Sequence, residues 1–280
     1  MASLTIEKPT TGRSRRADTA GGTSGRKRIV RGFIGLLVLL AILEVITRAG
    51  IVNEAFLPPA TKILGKVVEL LIDPSFLHLV LQTLQAWLVG LLLATVVAVP
   101  VGLVLGSSEV ANRASRIVID LIRPIPSIAL IPLAILVLGT GLEMKLALVV
   151  YASVWPILFN TIYGVHDVDP MMKDTARVYG FGSLSIVFRV TLVSAAPFIA
   201  IGIRLASSVA LIIVITAEML GGGGRGIGGY ISAAGASGTQ ALDVFASTTV
   251  AGLLGLLSNL GLLAIERRVF RWQPDNREDQ

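Results

Sequence analysis

Six long apolar segments dominate the hydropathy pattern, and each is about long enough to cross a membrane as a helix. A helix needs about 20 mostly apolar residues to span the hydrocarbon core of a bilayer. The segments are residues 32–49, 79–105, 118–138, 146–165, 195–220 and 244–265. The pattern therefore predicts an all-α membrane protein with six transmembrane helices.

The composition agrees with this class and excludes several kinds of chemistry. The chain has 280 residues, of which 54% are hydrophobic and 15% charged, and its mean hydropathy is +0.79. A soluble domain of this size does not need so much apolar surface. With no cysteine and only two histidines, the sequence offers no disulfide, no thiolate and no recognisable metal site. We therefore expect no bound metal.

Basic residues lie mostly on one side of the predicted spans, and this asymmetry indicates the orientation. If the N-terminus is cytoplasmic, the inner segments contain seventeen Lys and Arg residues and the outer segments contain five. Cytoplasmic loops carry the excess of these residues in membrane proteins. Both termini are therefore predicted to lie in the cytoplasm.

The first 31 residues form a distinct basic segment with eight Lys and Arg residues among Gly, Ser and Thr. A nucleic-acid-binding arm is one interpretation, but the segment has no aromatic residue on which a base could stack. We interpret residues 1–31 as a disordered cytoplasmic tail and expect no nucleic-acid partner. Residues 269–280 are interpreted as a second cytoplasmic tail.

A short helix is expected before the second span and a broken helix after this span. The outer loop before it has apolar residues at helical spacing, namely Ile63, Leu64, Val67, Val68 and Leu71. We expect a short helix there, lying at the outer membrane interface. The third span contains Pro124, Pro126 and Pro132, which predict a broken helix. Just before these prolines, Asp120 and Arg123 are three residues apart, a spacing at which their side chains can pair on one helix face.

Residues 167–190 separate the fourth and fifth spans and are too long for a simple loop. Asp169 and Pro170 indicate a helix start, because a carboxylate can cap the helix and proline suits its first position. Gly180 can end that helix in a left-handed conformation, and Ser183 is placed to cap a second one. The pattern favours a charged docking element on the cytoplasmic face, although an interfacial helix that anchors the bundle has a similar pattern.

The sequence DTARVYGFGSLSIVFRVTLVSAAP, which begins at Asp174, resembles the cytoplasmic signature of ABC-importer permease subunits. The matching residues are Asp174, Thr175, Ala176, Gly180 and Val190. The segments RPIPSIALIPLAILVLGTG, VWPILFNTIYGVHDVD and GIRLASSVALIIVITAEMLG resemble, in the same order, the nitrate/sulfonate/taurine branch of that family. The chain departs from the signature by having Asp174 in place of the usual glutamate, and Leu192-Val193 in place of a leucine-proline pair.

This resemblance implies a coupling helix that inserts into a groove of a separate ATP-binding cassette ATPase. The residues that it assigns to coupling are Pro170, Lys173, Asp174, Thr175, Ala176, Arg177 and Gly180. It also implies a permease homodimer in the lipid bilayer, two ATPase subunits and an extracytoplasmic solute-binding protein. ATP and Mg would bind to the ATPase, so this chain would contain no cofactor and would not be an enzyme.

The resemblance also divides the chain and suggests its cargo. Residues 32–78 would contain the first span and the outer loop, and residues 79–268 the permease core of five spans. The implied cargo is a small sulfonate-, nitrate- or taurine-like oxyanion. A pyrimidine precursor or another heterocycle is the alternative cargo.

Polar residues within the predicted spans are candidates for the translocation pathway, because a charge in hydrocarbon costs several kcal/mol. We select Arg123, Ser207 and Glu218. The competing interpretation is that such residues pair with one another or pack between helices.

The glycine-rich segment 221–229 contains a G-x-G-x-x-G pattern between two predicted spans. A dinucleotide fold would need a strand before it and a helix after it within a βαβ unit. We instead expect a flexible outer loop at the lip of an outer gate. The sequence has no G-x-x-x-x-G-K-[ST] motif, so no P-loop is predicted.

Two other classes of membrane protein remain to be compared. A secondary transporter that acts alone usually has an internal repeat with broken helices in both halves. Only the third span is interrupted by several prolines. A membrane-embedded enzyme would require clustered histidines, cysteines or paired carboxylates, which the predicted spans lack.

Overall fold

The computed structural model describes residues 25–221, 225–238 and 240–270, and all secondary structure in these ranges is helical. The helices are α1 Gly25–Arg48, α2 Ala60–Ile72, α3 Pro74–Ser107, α4 Glu109–Ile122, α5 Ile131–Leu138, α6 Leu142–His166, α7 Pro170–Val178, α8 Ser183–Ile186, α9 Leu192–Gly221, α10 Gly226–Ala236 and α11 Ala241–Val269. A 3-10 turn, Ser127–Leu130, precedes α5, and a π turn, Val187–Thr191, joins α8 to α9. The predicted all-α class is confirmed for the described residues.

Five described helical segments are long and apolar enough to cross a membrane. They are Val30–Arg48, Pro74–Ser107, Leu142–His166, Ser183–Gly221 and Ala241–Val269. A sixth candidate is broken: Glu109–Ile122 and Ser127–Leu138 meet at an angle of 69°. Pro124 and Pro126 lie at this break, as expected, since proline cannot continue the helical hydrogen-bond ladder.

The centre of the bundle is α6, which packs between α3 and α9. Small residues permit the close approach. A Cβ atom at Gly90 in α3 would lie 2.5 Å from Val149 Cγ1, and one at Gly102 would lie 2.6 Å from Thr161 Cβ. Because membrane helices associate through close packing rather than through the hydrophobic effect, these two glycines fix the distance between α3 and α6.

Helix α2 agrees with the short helix expected after the first span. Ile63 and Val67 are buried where α2 packs against α11, whereas Leu64 and Val68 are exposed on another side. The Glu44 carboxylate of α1 accepts hydrogen bonds from the Thr61 N–H (3.0 Å) and hydroxyl (2.9 Å). These bonds fix the end of α1 to the start of α2.

Some local expectations are corrected by the structure. Asp120 pairs with Arg116 at 3.9 Å, while the Arg123 guanidinium lies 4.6 Å from the ring centroid of Phe159. The Arg123 backbone is still helical, so its side chain turns towards Phe159 of α6 rather than towards Asp120. Ser183 is not a cap: the cap position is Gly182, and α8 continues through the π turn into α9.

The boundaries of two predicted segments also change. Residues 25–31, expected to belong to the tail, are helical as the start of α1. Residues 226–229 are buried in α10 instead of forming a flexible outer loop. The remainder of the N-terminal tail, residues 222–224 and residues 271–280 lie outside the described residues.

Candidate coupling and pathway sites

Helix α7 is defined at both ends by local sequence. The Asp169 side chain caps it, accepting a hydrogen bond from the Met171 N–H at 2.8 Å, and Pro170 occupies the first turn. Gly180 ends it with φ +82°. The Gly180 N–H donates to the Arg177 carbonyl (2.9 Å) and the Phe181 N–H to the Ala176 carbonyl (3.1 Å), as in a Schellman motif.

One side of α7 is attached to the bundle. Ala176 is 8% exposed, and the Lys173 ammonium donates to the Val165 carbonyl near the end of α6, at 3.4 Å. A cavity of about 310 Å³ lies beside this side of α7, between the end of α3 and the start of α8. Ser107 and Lys173 line it, and Arg177 lies at its edge between the attached and the exposed side of α7.

The other side of α7 is exposed and contains apolar as well as charged residues. Met171, Val178 and Tyr179 are 72%, 87% and 78% exposed. Asp174 and Arg177 form an exposed ion pair of 2.6 Å. The charged residues were predicted from the sequence and the apolar ones were not, although the same helical spacing places them on the exposed side. Together these five side chains form a mixed surface that we call the α7 face.

At the other end of α6, Glu218 belongs to a buried polar network. Its carboxylate accepts from the Lys145 ammonium (2.7 Å), from the Thr83 hydroxyl (2.8 Å) and from the Gly228 N–H (3.1 Å). The Lys145 and Glu218 side chains are only 7% and 0% exposed. The network therefore joins α3, α6, α9 and α10. Lys145, one of the five basic residues assigned from the sequence to the outer segments, is buried within it.

The glycines of α10 are required by the same network. A Cβ atom at Gly226 would overlap the Glu218 carboxylate, and one at Gly228 would overlap the Ile215 carbonyl. Gly226 also has φ +76°, which favours glycine. The G-x-G-G sequence at the start of α10 thus allows its backbone to approach a carboxylate of α9, to which the Gly228 N–H donates.

The three pathway candidates lie in different parts of the bundle. Arg123 contacts Phe159, whereas Glu218 contacts Lys145, and these two partners are fourteen residues apart in α6. At 1.5 Å per residue they are separated by about 20 Å along the helix. Ser207 is 3% exposed, and its carbonyl accepts from the Trp87 indole at 3.0 Å. Arg123 and Glu218 therefore do not form a single binding site.

Comparison with known proteins identifies the family. Residues 98–271 match the family described as the binding-protein-dependent transport system inner membrane component. The chain belongs to this family. It is 30% identical to the taurine transport system permease protein TauC of Escherichia coli (strain K12), over 86% of this chain and 88% of the relative. It is 27% identical to the nitrate import permease protein NrtB of Leptolyngbya laminosa, over 87% and 88%.

A solved structure supports the fold. A chain of the MetNI methionine ABC transporter, crystallised in inward-facing conformations, is similar with a TM-score of 0.59. The match has 21% identity and covers 70% of this chain and 98% of that chain. The resemblance stated above is therefore confirmed: the protein is a permease subunit of an ABC importer, a multi-pass inner-membrane transport component and not an enzyme.

Within the ranges that the structure describes, no three His, Asp or Glu side chains are grouped so that they could hold a metal ion.

Proposed function

We propose that this permease subunit forms a homodimer with six spans per protomer and both termini in the cytoplasm. Two ATPase subunits dock on the α7 faces, and a solute-binding protein delivers cargo at the opposite end of the bundle. ATP and Mg bind to the ATPase subunits. The observation that carries this proposal is the α7 face itself, where Met171, Val178 and Tyr179 are exposed on a helix capped at both ends.

The attachment of α7 supports a way to transmit movement into the membrane. Lys173 and Ala176 hold α7 to the bundle, and α7 is followed at once by the continuous segment Ser183–Gly221. When the ATPase pair closes, a shift of α7 is passed to α6 through the Lys173 contact and to α9 through the chain. In this proposal Pro170, Asp174, Thr175, Ala176, Arg177 and Gly180 shape or present the docking helix.

The proposed cargo is a small oxyanion of the sulfonate, nitrate or taurine type. The support is the similarity to permeases named for taurine and nitrate transport. A pyrimidine precursor or another heterocycle is the alternative, because the binding protein selects the solute. The proposed pathway residues are still Arg123, Ser207 and Glu218. The hydrogen bonds that Glu218 accepts from Lys145 and Thr83 favour a packing role for that residue.

Docking is tested by purifying the tagged full chain from its native membrane in mild detergent and quantifying the associated ATPase by mass spectrometry. Val178→Glu places a charge on the α7 face, and Val110→Glu is a matched control because Val110 is 79% exposed on α4. We expect Val178→Glu to lose most of the ATPase and Val110→Glu to retain it. Equal ATPase recovery with both variants would contradict docking on α7.

A further inference from the structure

A cavity of about 360 Å³ lies at the end of the bundle that contains the Glu218 network. Its lining residues are Gln82, Gln85, Gly141, Leu142, Lys145 and Arg225, and we call it the Arg225 cavity. We propose that the Arg225 cavity binds a small monovalent oxyanion, such as a sulfonate or nitrate, at the outer mouth of the permease. This inference rests on the proposed orientation and on the proposed class of cargo.

The inner wall of the cavity contributes no net charge. The Lys145 ammonium and the Glu218 carboxylate neutralise each other at 2.7 Å. The first N–H groups of α10 are also occupied: Gly226 donates to Gln82 (3.1 Å) and Ile227 to Thr83 (3.0 Å). Because these groups are paired, they form a rigid polar wall and leave the binding of a ligand to the groups in front of it.

The Arg225 guanidinium is the charged group that remains available. It is exposed, and among residues 25–221, 225–238 and 240–270 no carboxylate pairs with it. No acidic residue lines the cavity; Glu143, in the first turn of α6, is exposed beside it. The cavity lining therefore carries a positive charge with which no carboxylate of the described part of the chain forms an ion pair.

The donors around Arg225 suit an oxyanion. A guanidinium presents N–H groups in a planar fork that can bind two oxygens of one sulfonate or nitrate. The Gln85 amide is exposed and has no hydrogen-bond partner among the described residues, so it can supply a further N–H donor. Helix α6 begins in the cavity wall without a side-chain cap at Gly141, so its positive end also faces a bound anion. The volume is within the range of small-ligand sites.

The test exploits the absence of cysteine from the chain, since one introduced thiol is then the only thiol of this chain, and its labelling is read separately from that of the ATPase by mass spectrometry of the intact subunits. Leu142→Cys places a thiol in the cavity wall, and Leu64→Cys places one on the exposed side of α2 as the control reporter. The full chain with its co-purified ATPase is placed in phosphatidylcholine nanodiscs. The rate of labelling by neutral N-ethylmaleimide is then measured at increasing methanesulfonate, with dimethyl sulfone as an uncharged analogue of similar shape.

We expect methanesulfonate to slow labelling of the Leu142→Cys reporter and to leave the Leu64→Cys reporter unchanged, while dimethyl sulfone has no effect. Adding Arg225→Gln should weaken the protection by roughly 10- to 100-fold in concentration, as expected for the loss of a charge-assisted pair of hydrogen bonds. Arg225→Lys should retain part of the protection because it keeps the charge and loses the fork. Gln85→Leu should weaken it less than Arg225→Gln.

Two results would overturn the inference: no protection by methanesulfonate, or equal protection with and without Arg225→Gln. Protection that appears only when anionic lipid is added would also overturn it, since the ligand would then be a headgroup phosphate. These failures are separate from failure of the proposed function. Retention of the ATPase without protection removes the cavity assignment alone, whereas loss of the ATPase from the unmodified chain removes the importer assembly.

Discussion

The buried ion pair between Lys145 and Glu218 gives a quantitative prediction for Lys145→Met. The substitution leaves the Glu218 carboxylate, with 0% side-chain exposure, bonded only to the Thr83 hydroxyl and the Gly228 N–H. Breaking a buried pair by removing one partner costs about 3–5 kcal/mol, because the remaining charge is uncompensated. We therefore expect the thermal unfolding midpoint to fall by on the order of 10 °C.

The measurement is thermal unfolding of the purified full chain in mild detergent. Lys62→Met is the control, since its ion pair with Glu54 is exposed and contributes less than about 1 kcal/mol. Glu218→Gln should destabilise by a similar amount to Lys145→Met, because it leaves the ammonium buried beside a neutral amide. The double variant should lose less than the two single effects added together, by up to about 3 kcal/mol.

The double variant is the decisive comparison, since it removes both buried charges while the amide carbonyl introduced by Glu218→Gln can still accept from Thr83 and Gly228. If Lys145→Met shifts the midpoint no more than Lys62→Met does, the pair does not hold the four helices together. Strict additivity of the two single effects would likewise refute the coupling between these side chains.

Two further predictions concern the ends of the bundle. Gly180→Val should reduce ATPase recovery and ATP-dependent uptake, because φ +82° is strained for a β-branched residue. Gly182→Val is the control and should resemble the unmodified chain, since Gly182 has φ −68° and open space around its Cβ. Equal effects of the two variants would exclude a role for the left-handed turn. At the other end, burial and then the hydrogen bond to Asp243 raise the pKa of Tyr230 to about 12. Since an unfolded tyrosine loses its proton near pH 10, the stability from this shift is present below about pH 10 and is lost between about pH 10 and 12. Tyr230→Phe should therefore show a shallower loss of thermal stability in that range than the unmodified chain, and parallel curves would contradict the assignment.

The elements that could be predicted are those that local sequence encodes. Asp169-Pro170 and Gly180 fix α7 through a cap, a favourable first residue and a left-handed stop, all within twelve residues. The spans were found because apolar runs of this length have few alternatives. The predicted fourth span, residues 146–165, nevertheless starts four residues too late, because α6 begins at Leu142. Hydropathy assigns Lys145 the same value whether it is buried or exposed, so the predicted span begins only after it.

The start of α10 could not be predicted, because the contacts that determine it are distant in the chain. Local rules interpret a run of glycines as a loop. Here the segment starts a helix because its N–H groups find distant partners: Thr83, 144 positions away, accepts the Ile227 N–H, and Glu218 accepts the Gly228 N–H. Glycine is needed at 226 and 228 because larger residues would collide with Glu218 or with the backbone of α9. Asp120 was misassigned for a similar reason: partners three and four residues away are both feasible on a helix, and Arg123 is drawn away by Phe159, a residue of α6 that is distant in the chain.

The two ends of α6 connect these sites. Near its last turn, the Val165 carbonyl accepts from Lys173 of α7, and in its first turn Lys145 holds the Glu218 network. A helix of 25 residues is about 37 Å long, so α6 spans the distance between the proposed docking face and the Arg225 cavity. Because α6 is also packed along its length against α3 and α9, a displacement of α7 must either tilt these helices together or break close contacts such as that of Gly102 with Thr161. Collective tilting preserves the buried ion pair and every bond of the Glu218 network, so the Arg225 cavity, whose walls are α3, α6 and the start of α10, would move with these helices as one unit.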